Sequence, residues 1–401
     1  MVESGDHVLP TFGGEPRLDK PPMFVWAGAM AARALGGVNE FTLRIPSALS
    51  ACVCILAAFL IGIRLFDVTP GLLAALILST TGRFLLYAQW VSTDLMVATL
   101  ITCAIAAWIV GIHESHRDEG RLHSVLAGQT FMLFSAFAVL TKGPVGIVLP
   151  VGIAGAWLLL SSVLDPARGL PVAAATARGW LLGLPLFALI TVPWYLLLGA
   201  RAGPEAVSYS LLHQNVNRFV DAWNAQQPWH YYFKALPLDL LPWSLFFVAA
   251  IVLRGGAPAD RRERDSWRLL LCWFTVVFVF FSLASGKSPE YLLPLLPAAA
   301  LMTARGLVLG SRSGLEAGAG RLPGGALRLR LLRLSAGLPL AAAVAGMILI
   351  PIRGGRQMPG SGPALLLAMT ILLAGSAGAF AALLRRRAMS GAVILGGGPS
   401  F

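Results

Sequence analysis

The 401 residues are 57% hydrophobic and only 12% charged, with a mean hydropathy of +0.74. That balance excludes a soluble globular core and describes a polytopic membrane protein. The net charge of +12 is read as membrane topology rather than as a nucleic-acid surface, because basic residues beside spans set their orientation.

Residues 1–22 are polar, with no apolar centre of the kind a signal peptide has. A start like this needs an upstream segment to carry it across a membrane. Its end, Glu15-Pro16-Arg17-Leu18-Asp19-Lys20-Pro21-Pro22, is stiff. The prolines fix φ and lack an N–H, and Lys20 is pushed toward extended geometry by the proline after it. Asp19 and Lys20 are therefore displayed on a non-helical strap. Locally, the strap reads either as a polar cap before a helix or as a cation held ready for a phosphate.

Residues 23–35 are apolar but too short to span, which suits an interfacial helix. Eleven candidate spans follow: 44–66, 70–88, 93–113, 125–140, 144–162, 178–199, 237–254, 267–284, 289–309, 331–352 and 362–385. Lys142-Gly143-Pro144 cuts one apolar stretch into a tight hairpin. The expected organisation is all-α: an outer segment (1–43), a transmembrane bundle (44–199), an outer loop (200–236), a second bundle (237–385) and a cytoplasmic tail (386–401). The four cysteines lie inside apolar runs, so neither a disulfide framework nor a metal site is read from them.

With residues 1–43 outside, most of the 31 Lys and Arg fall on the inner side and the C-terminus is cytoplasmic. All four lysines, Lys20, Lys142, Lys234 and Lys287, fall outside. The same side gathers Asp94, Asn215, Arg218, Tyr232 and Tyr291. Each has a plain structural reading. Asp94 is placed to cap a helix, Lys287 to anchor a span end, and Trp229, Tyr231 and Tyr232 to form an aromatic belt. Together they make the mouth of a cavity with several cations, a carboxylate and aromatic rings. A lipid-linked phosphate fits that inventory: cations hold the phosphate, and a carboxylate takes the proton of an acceptor hydroxyl.

The order of these motifs resembles that of the bacterial GT-C glycosyltransferases, the protein-mannosyltransferase-like family that includes the lipid A aminoarabinose transferases. The resemblance runs over roughly residues 1–310. It rests on the Lys20-Pro21-Pro22 segment, Asn39-Glu40-Phe41, Tyr87 with Asp94, Thr141-Lys142-Gly143-Pro144, Asn217-Arg218-Phe219, Leu241-Pro242-Trp243, and Ser285 to Pro297. It implies a GT-C bundle of about 11 transmembrane helices that transfers a sugar from a polyprenyl-phosphate donor to a lipid or protein acceptor. By that likeness Lys20 binds the donor phosphate, and Lys142, Arg218 and Lys287 line the cavity. Asp94 is an acidic residue of the site, in a catalytic role. Asp19, Arg83, Tyr87, Asn215, Tyr232 and Tyr291 surround the substrates.

Two departures stand out. The family has an arginine two residues after the tyrosine matched by Tyr87; here Gln89 stands there, and Arg83, one turn earlier, is the expected substitute. The family also has a first transmembrane helix and then an acidic pair, holding the principal base, ahead of the segment that matches Met1. The expectation is that this chain begins inside that first loop. A non-catalytic donor-binding remnant and a lipid-linked sugar transporter or flippase are the alternatives. Against the latter, the span interiors carry almost no charge and no internal repeat. No cofactor is expected. A divalent metal stays open, since Asp19 and His230 have ligand chemistry, but two residues are fewer than a metal site takes.

Overall fold

The computed structural model describes residues 5–318 apart from 13–14, 17, 115–119, 223 and 254–259. The described residues divide into two compact units, those up to 240 with 260–301, and those of 241–253 with 302–318.

The first unit opens with a two-residue antiparallel pair, β1 (Thr11–Phe12) and β2 (Glu15–Pro16). Apart from this pair and one bridge between Gln226 and Gly286, the described residues are helical or irregular, in keeping with the all-α expectation. Helix α1 (Met23–Ala34) begins directly after Pro21-Pro22, where the Trp26 N–H donates to the Pro22 carbonyl at 2.8 Å. Helix α2 (Glu40–Leu65) starts with a capping box. The Asn39 side chain accepts from the Thr42 N–H, and the Thr42 hydroxyl accepts from the Asn39 N–H, both at 3.0 Å. Helix α3 (Val68–Thr80) lies so close to α2 that a Cβ on Gly62 would sit 2.5 Å from the Cα of Gly71. Helix α4 (Gly82–Gln89) continues α3 after a 62° bend at Thr81.

Helix α5 (Thr93–Glu114) is the core element. Leu95, Ala98, Ile101, Ile105 and Ile109 recur at helical spacing and are almost wholly buried. Around it run α6 (Gly120–Lys142), α7 (Val145–Leu164) and α8 (Pro166–Ala202). Large apolar side chains stay exposed on α7 and α8, with Leu159, Leu189 and Leu196 all above 65%. That is the surface a lipid-facing helix presents. After α8 come α9 (Pro204–Ser208), a π-helix (Tyr209–Asn217), α10 (Arg218–Val220) and α11 (Tyr231–Asp239).

In the second unit, α12 (Ser244–Leu253) is described. The first unit resumes with α13 (Arg261–Leu283) and a 3₁₀ helix (Pro289–Leu295). The 3₁₀ helix runs into α14 (Leu296–Gly318), whose later part belongs to the second unit. There, Gly306 admits Ala250 so closely that a Cβ would lie 2.2 Å from the Ala250 Cβ.

Among the described residues, seven helices are long and apolar enough to cross a membrane, or nine if each broken pair counts as one span. The protein is thus multi-pass. Four expectations change. The span expected at 70–88 is bent by 62° between Thr80 and Gly82. The span expected at 178–199 begins at Pro166, because Asp165 ends α7 and Pro166 at once starts α8, a proline-tolerant first position. The span expected at 237–254 is broken between Asp239 and Ser244. The outer loop expected at 200–236 is largely helical up to Val220. The expected spans 331–352 and 362–385 and the tail 386–401 lie outside the described residues.

Candidate active site

The N-termini of α5 and α7 meet the C-termini of α6 and α13 at one end of the first unit. Each end has a local cause. The Ser92 hydroxyl accepts the Asp94 N–H at 3.1 Å, capping α5. Gly143 ends α6 at φ +82°, and Pro144 pre-sets the start of α7. The strap bearing Lys20 is tied down from behind. The Val8 carbonyl accepts from the Trp194 indole at 3.2 Å, and the His7 carbonyl from the Trp26 indole at 2.8 Å. Asp6 accepts the N–H groups of Val8 and Leu9 and pairs with Arg201 at 3.2 Å. These backbone donors, and then Arg201, hold its carboxyl below the usual range.

A cavity of about 280 Å³ opens at this end. Its polar part is formed by Asp19, Lys20, Lys142, Asn215, Arg218 and Tyr291. Val145, Val148, Phe280 and Phe281 form an apolar wall. Lys20 donates to the Thr93 hydroxyl at 3.2 Å. Lys142 is ion-paired with Asp94 and lies 4.3 Å from the centre of the Tyr291 ring, a cation–π contact. Asp94 is 8% exposed and also accepts from the Ser92 hydroxyl at 3.1 Å. Its carboxylate, expected in a catalytic role, is here the counter-ion that fixes Lys142. Asn215 donates to the Ser210 carbonyl at 2.8 Å and rests against Gly143, where a Cβ would come within 3.0 Å of its amide.

Four of the expected residues lie elsewhere. Lys287 is not on the cavity wall. It is buried, and its amine donates to the carbonyls of Gln227, at 2.9 Å, and Ala284. Burial pulls this amine below the ordinary lysine range. It ties Gln227 to the end of α13. Arg83, expected to stand in for the missing arginine, is instead held by Asp239, with Nε to Oδ1 at 2.7 Å. The Tyr87 hydroxyl donates to Glu290 at 2.9 Å, and that of Tyr232 to the Ser288 carbonyl at 3.0 Å. Tyr87 and Tyr232 thereby bracket the 3₁₀ helix that carries Tyr291.

Sequence reasoning missed Asp239 altogether and passed over Glu290. A lone carboxylate in the apolar run around Leu236 to Leu240 was the available signal, since an unpaired charge there would be costly. Asp19 and His230 are not brought into a metal site. Among the described residues no group of three or more His, Cys, Asp or Glu is placed to hold an ion.

The family model described as dolichyl-phosphate-mannose-protein mannosyltransferase matches residues 1–203. The undecaprenyl phosphate-alpha-4-amino-4-deoxy-L-arabinose arabinosyl transferase 2 of Pseudomonas fluorescens is 32% identical over 308 residues, covering 75% of this chain and 49% of that protein. The chain spans about half the length of the curated relatives it matches. The crystal structure of ArnT from Cupriavidus metallidurans bound to undecaprenyl phosphate superposes with a TM-score of 0.67 at 22% identity, covering 95% of this chain and 69% of that one. The archaeal oligosaccharyltransferase AglB from Archaeoglobus fulgidus, in complex with an inhibitory peptide and a dolichol-phosphate, gives 0.55 at 16% identity, covering 88% and 48%. At these identities the two structures speak for a shared GT-C fold.

Proposed function

The chain belongs to the dolichyl-phosphate-mannose-protein mannosyltransferase family, and from that premise we propose that it serves transfer of a sugar from a polyprenyl-phosphate donor to a lipid or protein acceptor. The observation that carries this reading is the single cavity that joins Lys20, Lys142 and Arg218 to an apolar wall. A phosphate lies among the cations, and the first isoprenoid units follow Val145, Val148 and Phe280. In the reaction the acceptor hydroxyl oxygen bonds to the anomeric carbon, and the bond from that carbon to the phosphate oxygen breaks. The leaving phosphate gains charge, which Lys20, Lys142 and Arg218 stabilise in place. Asp94 positions Lys142 through their ion pair. The acceptor's proton goes to a carboxylate base, the role that the acidic pair of the family's first outer loop fills. The lysine sorting in the sequence supports a cavity on the periplasmic side of the bacterial inner membrane, with the C-terminus in the cytoplasm.

The test is transfer from a labelled polyprenyl-phosphate sugar in membranes carrying the native gene product. Lys20→Ala should lower transfer about 10²-fold or more while the protein still inserts, the scale seen when one charge-stabilising donor is lost. Wild-type turnover in that variant overturns the site. Donor binding without turnover in the wild type supports a binding protein instead. Donor flux without covalent transfer supports a transporter.

A further inference from the structure

A second cavity of about 280 Å³ lies at the other ends of α5, α7 and α13. From Asp94, the partner of Lys142 in the first cavity, to Ile112 in the second, α5 rises about 27 Å at 1.5 Å per residue. Ile112, Val172 and Leu269 give the second cavity an apolar side, and Ser161, Arg168 and Arg262 give it a polar one.

Its charges do not cancel. Two carboxylates, Asp165 and Asp265, also line it, but each is already matched. Arg261 pairs with Asp165, and Arg268 with Asp265 at 2.9 Å. Arg262 donates to the Arg64 carbonyl at 2.7 Å, a bond that orients the guanidinium without neutralising it. The Arg168 guanidinium makes no hydrogen bond or ion pair with another described residue. The Ser161 hydroxyl is buried without a hydrogen-bond partner. Two uncompensated guanidiniums and an unused hydroxyl therefore face a space with one apolar side.

We propose that this cavity binds the phosphate headgroup of an anionic phospholipid. Guanidinium forks match phosphate oxygens in charge and geometry. The apolar side decides between a lipid and a soluble phosphate. A free phosphate has nothing to lay against Ile112, Val172 and Leu269, whereas the glycerol ester and first methylenes of a lipid do. The location agrees. This end carries Arg64, Arg168, Arg261, Arg262 and Arg268, the basic surface that attracts anionic lipid. The sugar-transfer reading uses none of these residues. A bound lipid would tie the α7–α8 turn to the first turns of α13.

The experiment is native mass spectrometry of the purified native gene product in detergent, titrated with phosphatidylglycerol, phosphatidylcholine or glycerol 3-phosphate. Phosphatidylglycerol should be retained about tenfold better than phosphatidylcholine. The double variant Arg168→Gln/Arg262→Gln should lose that preference, and glycerol 3-phosphate should not displace the lipid. Arg168→Gln alone removes no hydrogen bond or ion pair within the described residues, so it keeps the test decisive if the double variant folds poorly; it should weaken retention severalfold and leave sugar transfer unchanged. Equal retention of the two lipids, or undiminished phosphatidylglycerol retention in Arg168→Gln, overturns the proposal. Displacement by glycerol 3-phosphate overturns the lipid as occupant.

Discussion

Two cavities of equal size, about 280 Å³ each, are lined from opposite ends of α7 and α13, and both are basic. Size therefore does not say which one reacts. Their cations arrive differently. In the first cavity Lys20 comes on a proline-stiffened strap, Lys142 from the last residue of α6, and Arg218 from the first of α10. Three elements distant in sequence converge, and Lys142 is held by a carboxylate on a fourth element and a ring on a fifth. In the second cavity the arginines sit near the starts of α8 and α13, and so do Asp165 and Asp265. Charge that must be stabilised as it develops needs groups fixed beforehand from several directions. A resident lipid needs only a surface that attracts it.

The hardest blow to this contrast is Lys142→Ala. It removes a phosphate cation and leaves Asp94 buried without its partner. Transfer should fall about 10²–10³-fold, and stability by about 3–5 kcal/mol. The first is read in the transfer assay and the second in thermal unfolding in detergent. Transfer within tenfold of wild type would mean that the pinned lysine is no more functional than the arginines at the other end. Next comes Arg83→Ala, which strands Asp239 at 1% exposure. It too should cost about 3–5 kcal/mol, and Arg83→Met with Asp239→Leu should recover most of it, because an apolar pair of similar volume replaces a buried ion pair well. No recovery would show that the pair does more than join α4 to α11. A smaller effect is expected from Tyr87→Phe. It deletes one hydrogen bond to a carboxylate, worth about 1.5–3 kcal/mol, and loosens the bracket around Tyr291. Donor affinity measured beside the unfolding temperature would separate the two consequences.

How far the sequence reveals this arrangement depends on whether the determinant is local. The Lys20-Pro21-Pro22 strap and the Lys142-Gly143-Pro144 turn are legible because proline and glycine act on the backbone where they stand. Asp94 is legible as a helix-start carboxylate, but its partner Lys142 lies 48 residues away and is supplied by packing. Lys287 is misleading for the same reason. Its charge is visible in the sequence, and the two carbonyls that occupy it are not. Hydropathy also hides the break between α11 and α12, since Leu240, Leu241 and Trp243 are apolar on both sides of Pro242. The early start of α8 is not visible in hydropathy, because Arg168 and Arg178 interrupt the apolar run while the helix of 37 residues continues through both.

The finest test compares two glycines with nearly the same φ. Gly143 and Gly203 have φ of +82° and +84°. A side chain at such a positive φ costs roughly 1–3 kcal/mol, so Gly143→Ala and Gly203→Ala should both lose stability. They differ in space. Nothing lies within 4 Å of a Cβ built on Gly203, whereas one built on Gly143 would come within 3.0 Å of the Asn215 amide. That amide lines the cavity and is held by the Ser210 carbonyl. Gly143→Ala must push it by a few tenths of an ångström or twist the end of α6 that carries Lys142. Donor affinity should therefore fall about three- to tenfold in Gly143→Ala, a shift worth no more than about 1.4 kcal/mol, and stay unchanged in Gly203→Ala. Equal affinities in the two variants would mean that the cavity tolerates movement of Asn215, and the residue would then leave the list of groups that shape the site.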